Sequence, residues 1–184
     1  MTDIMKEFIS DKNRTALFKG LEMVKANSKD IVVIETGTIR NHHETSRSTI
    51  KMAEYLKGIG NLISVDLNQS HINISKEVCK GYDNIEWVQS DSLIFLKAFK
   101  GEVDLCYLDS VNDKDHIYNE FVLSLPILKD GGVIIIDDYH RGQKCNKVVD
   151  VLKRLKYPFE EHKEQILISV TKELKKIIQG LYCD

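Results

Sequence analysis

Five apolar runs in this sequence end in carboxylates. Glu35 closes IVVIE, Asp66 closes LISVD, Asp91 follows IEWVQS, Asp109 closes VDLCYLD, and the pair Asp137 and Asp138 closes GGVIIIDD. Carboxylates so placed can accept hydrogen bonds from sugar hydroxyls or an ammonium group. Gathered in one place, they can also hold a hard divalent cation such as Mg2+. Near the last pair stands His140, an imidazole of the kind that titrates near neutral pH and can move a proton.

Elements must exist to bring these groups together. The apolar runs have the length and composition of buried strands: Ile31 to Glu35, Leu62 to Asp66, Ile85 to Val88, Val103 to Asp109, Val133 to Asp137 and Gln165 to Val170. Between them, Ile117, Phe121, Leu125 and Leu128 recur at helical spacing, as do Val148, Leu152 and Leu155. This alternation predicts an α/β class, with a doubly wound and mostly parallel sheet covered on both faces. Tyr157 to His162 lies too close to Gln165 for a helical crossover, so an antiparallel C-terminal edge hairpin is expected. Leu17, Leu21 and Val24 form a helical stripe that either caps the sheet or mediates self-association.

At 184 residues, 42% hydrophobic and 29% charged, the chain suits one globular domain. We divide it into an N-terminal helical segment (1–27), a core (28–171) and a C-terminal helix or tail (172–184). MTDIMKEFIS reads as an amphipathic helix and not as a secretory signal, so a cytoplasmic protein with no membrane partner is expected. A formal charge of −2 with interspersed signs offers no broad field for a phosphate backbone, and no nucleic-acid partner is expected. Cys79, Cys106, Cys145 and Cys183 are too scattered for a zinc site or a disulfide framework.

In an open α/β sheet, ligands bind beyond the carboxyl ends of the strands, where the strand order reverses. A dinucleotide would need G-x-G-x-x-G at the first exit, and Glu35, Thr36, Gly37 and Thr38 supply one glycine. That disfavours a nicotinamide-dependent oxidoreductase. One close approach of backbone suits a nucleoside without phosphates, with Glu35 facing a cationic amino group and Asp66 accepting from ribose hydroxyls. Asp91 and Ser92 either cap the next helix or hydrogen-bond an adenine amino group.

The succession ETGT, VDLN, QSDS, DLCYLDS and GGVIIIDDYH resembles the class I S-adenosylmethionine-dependent methyltransferases over roughly residues 28 to 171. Within that superfamily, GGVIIIDDY is similar to the small-molecule O-methyltransferases of the catechol, macrolide-sugar and cephalosporin-hydroxylase-like kinds. The resemblance implies S-adenosylmethionine as cofactor, with Glu35 and Gly37 beside its methionine moiety, Asp66 at the ribose, and Asp91 with Ser92 at the adenine. Thr36, Thr38, Leu67 and Asp109 complete the implied cofactor-binding set. The sequence departs from that family in an extended loop, NHHETSR, ahead of Ser48 and Thr49. We expect Ser48 or Thr49 to cap the following helix, and the loop from Thr38 to Ser48 to cover the cofactor.

Methyl transfer from a sulfonium requires chiefly that the acceptor be aligned and made nucleophilic. Asp109, Asp137 and Asp138, from adjacent strand ends, are the expected ligands of an optional Mg2+, and Asp109, Asp137 and His140 the expected catalytic residues. Asn112, Lys114 and His116 are second-tier candidates for contact with the acceptor. The expected reaction is O-methylation of a small metabolite, a sugar or a phenol. Such a small chain could use a second copy of itself to complete the acceptor site, so a homo-oligomer is plausible. The alternative is a cofactor-binding regulatory or scaffold module without turnover.

Overall fold

The computed structural model describes residues 1–42, 47–140 and 143–181. Two helices come first, α1 (Asp3–Ser10) and α2 (Thr15–Lys25). There follow β1 (Ile31–Thr36), α3 (Ser48–Leu56), β2 (Gly60–Asp66), α4 (Gln69–Val78), β3 (Ile85–Gln89), α5 (Ser92–Ala98) and β4 (Val103–Leu108). The chain continues through α6 (Lys114–Ser124), β5 (Leu128–Ile136), α7 (Asn146–Arg154), β6 (Glu160–His162), β7 (Gln165–Ser169) and α8 (Lys172–Gly180).

The seven strands form one sheet in the order β3-β2-β1-β4-β5-β7-β6. Strands β1 to β5 run parallel, while β7 is antiparallel to both β5 and β6. The expected class and the antiparallel hairpin are therefore present. The order reverses between β1 and β4, so a crevice must open beyond their carboxyl ends.

Successive strand residues feed opposite faces, which explains why the strands are apolar throughout. Val33, Leu105, Tyr107, Val133 and Ile135 point into a core shared with Leu17, Leu21 and Met52. Ile34, Cys106, Leu108, Ile134 and Ile136 point the other way, onto Ile117, Phe121, Val148 and Leu152. The Leu17 stripe thus covers the sheet. A Cβ on Gly20 would stand 3.1 Å from the Leu105 Cδ1 atom, so α2 lies close against the strands. Helix α1 is tied down by Lys51, whose ammonium, buried on α3, meets Asp11 at 2.7 Å and Glu7 at 3.2 Å.

Two expectations need correction. Leu128 does not continue the helical stripe; it opens β5 and pairs with Val103. Helix α6 stops at Ser124: Leu125 is still right-handed helical at φ −58°, but Pro126 has no N–H to donate to the turn behind it. Strand β5 then passes through Gly131, at φ 81°, and its pairing with β4 shifts register between Val103 and Leu105. That irregularity masks the strand's first half in the sequence. The hairpin strand is also shorter than expected, beginning at Glu160.

If α2 is an integral layer of the core, Leu17→Ala should lower unfolding free energy by about 2–5 kcal/mol in urea titrations. A loss under about 1 kcal/mol would show that the helix is peripheral.

Candidate functional site

The exits of β1 and β4 interlock. Gly37, at φ 83°, donates its N–H to the Val65 carbonyl at 2.8 Å, and the Asp109 N–H donates to the Thr36 carbonyl at 3.0 Å. A Cβ at position 37 would fall 2.4 Å from the Asp109 carbonyl oxygen. Glycine is required there both for its dihedral and for this approach.

Beyond this crossing lies a cleft of about 440 Å³. Of the residues expected to bind a cofactor, it is lined by Gly37, Asp66, Leu67, Asp91 and Ser92. Such a volume suits a small organic ligand. Asp66 braces its rim: Oδ1 accepts the Asn68 N–H at 2.7 Å, Oδ2 accepts the Thr38 N–H at 3.2 Å, and the His71 Nδ1 atom stands 3.3 Å from Oδ1. Leu67, 69% exposed, and Val111, also exposed, give the cleft apolar surface.

Asp91 is the N-cap of α5, its Oδ1 accepting from the Leu93 and Ile94 amides. Ser92 Oγ lies 2.9 Å from His116 Nε2, which in turn stands 3.4 Å from the buried Glu120 carboxylate. The Glu120 carboxylate raises the His116 pKa, and its other oxygen accepts from the Thr36 hydroxyl at 3.2 Å. Among the second-tier candidates, His116 and Asn112 thus line the cleft, whereas Lys114 lies away from it, beside Asp115 and Lys147.

Glu35, Thr36 and Thr38 turn inward. Glu35 is 1% exposed and accepts hydrogen bonds from Ser64 at 2.8 Å and from Ser48 and Thr49 at 3.1 Å each. Burial pushes its pKa up to about 8, outweighing the three hydroxyls that favour the charged form. Thr38 Oγ1 meets Ser75 Oγ at 2.8 Å. The expected cap on α3 is therefore not made by Ser48 or Thr49, because Glu35 takes both hydroxyls. The helix begins instead after Arg47, left-handed at φ 35°. His42 pairs with Glu77 at 3.5 Å on the surface. The rest of the expected covering loop, His43 to Ser46, lies outside the described residues.

Asp109, Asp137 and Asp138 converge as expected, each offering an oxygen within 4.8 Å of the others. Two cations that the sequence reading missed are already there. Arg14, from the N-terminal end of α2, donates to Asp137 Oδ1 at 3.0 Å, and Gln165 donates to the same oxygen at 3.1 Å. Lys144 Nζ lies 2.6 Å from Asp109 Oδ1 and 3.4 Å from Asp138 Oδ2, with its side chain only 2% exposed. Burial and the neighbouring Asp109 push Asp137 up to about 6 in spite of Arg14. Burial disfavours the Lys144 charge, yet Asp109, Asp138 and Asp137 outweigh it and raise the pKa. His140 is exposed, its ring 4.4 Å from that of Tyr139.

The oxygen donors suit a hard cation in kind, but as arranged they are compensated by an ammonium and a guanidinium. The triad therefore does not fit a divalent ion without rearrangement. Cys79, Cys106 and Cys145 are buried free thiols, each pushed up to about 12 chiefly by burial, so they are not nucleophiles. Cys183 lies outside the described residues. No helix among the described residues is long and apolar enough to cross a membrane.

A sheet of this order, with its cleft at the β1/β4 reversal and acids at the strand ends, defines a Rossmann-like methyltransferase fold. Residues 44–139 match a family described as a methyltransferase domain, and the chain belongs to that family. O-methyltransferase hkm8 of Aspergillus hancockii is 28% identical over 110 residues, 58% of this chain. The match spans 42% of that relative's length. The O-methyltransferase NovP superposes with a TM-score of 0.64 at 15% identity, over 88% of this chain and 80% of its own. MycE, from the mycinamycin biosynthetic pathway and solved with Mg, S-adenosylhomocysteine and mycinamycin VI, gives 0.65 at 15% identity, over 92% and 54%. At such identities the structures share the fold alone, as does an rRNA methylase of Streptococcus thermophilus at a TM-score of 0.61 and 10% identity, over 85% of this chain and 97% of its own.

The buried acid at position 35 has a signature in pH. With a folded-state pKa near 8 against an ordinary value of 4.5, the native state keeps a proton that the unfolded chain releases. Stability should therefore fall as pH rises from about 4.5 to about 8, with Asp137 contributing in the same direction only up to about 6. Glu35→Gln should fold and flatten the decline between about pH 6 and about pH 8, as read from urea midpoints. An unchanged slope in the variant would contradict the assignment.

Proposed function

We propose that this protein transfers a methyl group from S-adenosylmethionine to a hydroxyl of a small metabolite, a sugar or a phenol. The observation that carries this reading is the placement of the β1/β4 cleft, with its nucleoside-sized volume, next to a cluster of three carboxylates. The family supports the reaction class, and the similarity to hkm8 and NovP favours oxygen as the acceptor atom.

In this reading Asp66 accepts from the ribose hydroxyls, and Asp91 and Ser92 meet the adenine, with Leu67 and Val111 contributing apolar contact to the base. The Gly37 backbone permits close approach of the remainder of the cofactor, and Glu35 acts from behind by fixing Ser48 and Thr49 at the start of α3. The bound cofactor supplies a methyl group activated on a sulfonium. Displacement forms an oxygen–carbon bond, breaks the sulfur–carbon bond and leaves the electron pair on sulfur. The acceptor hydroxyl must lie in line with that bond and lose its proton, and we assign the proton to Asp109 at the edge between cleft and triad. Among the described residues no contact ties His140 to the cluster, and proton transfer in this reading does not run through it. The absence of a broad basic field at a net charge of −2 favours a small molecule over RNA as acceptor.

Calorimetry should detect S-adenosylhomocysteine binding, and Asp66→Ala should weaken it roughly 10- to 100-fold, the cost of lost hydrogen bonds to a charged group. Labelled methyl transfer to a panel of catechols and sugars should place the label on oxygen. Binding without transfer to any acceptor would favour the regulatory module, and no binding at millimolar ligand would overturn the reading.

A further inference from the structure

We infer that Lys144 is the resident cation of the acidic cluster and keeps a divalent ion out of it at millimolar concentration. The inference rests on where the side chain lies and does not depend on the identity of the methyl acceptor. Lys144 belongs to the turn before α7, and its ammonium bridges Asp109 at 2.6 Å and Asp138 at 3.4 Å. These carboxylates come from the ends of two adjacent strands, so one buried cation joins both exits. The following residue anchors the turn, since Cys145 is fully buried with its thiol 3.5 Å from the Asp137 carbonyl oxygen.

Asp137, the third carboxylate, is held from the opposite side. Its Oδ1 accepts from Arg14 at 3.0 Å and from Gln165 at 3.1 Å, and Arg14 is itself buried. Three negative charges therefore face two positive ones, a balance of −1. A divalent ion added to that set would make it +1 and compete with the Lys144 ammonium for the Asp109 and Asp138 oxygens. Asp109 and Asp138 are partly exposed, but the Lys144 ammonium between them is buried, so a second cation on the same oxygens is repelled and metal and lysine are mutually exclusive occupants. Withdrawing the Lys144 charge should return the cluster to −2 and open it to a metal.

The test is direct Mn2+ binding, followed by electron paramagnetic resonance, on the full chain saturated with S-adenosylhomocysteine. Wild type should show no saturable binding at millimolar Mn2+, whereas Lys144→Met should bind at least about 10-fold more tightly. That gain should vanish when Asp109→Asn is added. Equal affinity in wild type and Lys144→Met, or no gain in the variant, overturns the inference. Should Lys144→Met fail to fold by circular dichroism, wild type still decides. Saturable Mn2+ binding that Asp109→Asn abolishes overturns the inference, and its absence in both proteins supports it. If the protein takes up no S-adenosylhomocysteine, the functional reading fails, while the Mn2+ comparison, repeated without that ligand, still decides the role of Lys144.

Discussion

Carboxylates cannot be placed along a low-dielectric rim unless each is neutralised or hydrogen-bonded, and this requirement organises the carboxyl edge of the sheet. Each acid meets it with a partner from a different element. Glu35 draws hydroxyls from α3 and β2, Asp66 takes backbone amides, Asp137 takes a guanidinium from the start of α2, and Asp109 takes the ammonium of Lys144. Helices that look peripheral in the chain order are fixed to the functional edge by these contacts. Removing one partner would leave a buried charge exposed to a poor solvent, which is why such pairs are costly to break even where their net contribution to stability is small.

The same edge has two compartments separated by the crossing of Gly37 and Asp109. On one side is a partly apolar cleft whose polar groups are presented by loops and helix starts; on the other is the charged cluster. The division matches the demands of a two-ligand reaction, in which one partner is a large nucleoside-like molecule and the other a small polar acceptor. Asp109 belongs to both sides: its backbone defines the crossing and its carboxylate meets Lys144.

Much of this was legible in the amino-acid order. Strands that bury both faces announce themselves as unbroken apolar runs, and the acids at their ends mark where those runs exit. Asp91 was readable as a cap because its partners are two and three residues away. Contacts across long separations were not readable. Arg14 and Asp137 are 123 residues apart, and Gln165 reaches the same oxygen from an antiparallel strand. Lys144 looks like an ordinary solvated lysine until the fold brings it over Asp109. Ser48 and Thr49 had the right type and place for capping, yet a buried carboxylate competes for their hydroxyls and wins. The first half of β5 was hidden because Leu128 falls at helical spacing from Leu125 and Phe121, and Asp130, Gly131 and Gly132 interrupt the apolar run of an irregular strand.

The central claim, that a nucleoside-binding cleft adjoins a carboxylate cluster already filled by its own cations, is tested most directly by one crystal structure. Crystals grown with S-adenosylhomocysteine and soaked in Mn2+ would be measured at an energy where manganese scatters anomalously. The account predicts the adenosyl group between Asp66 and Ser92, Lys144 still seated on Asp109, and no anomalous peak at the three acids. A manganese peak at the three acids, or the nucleoside bound elsewhere, would contradict it.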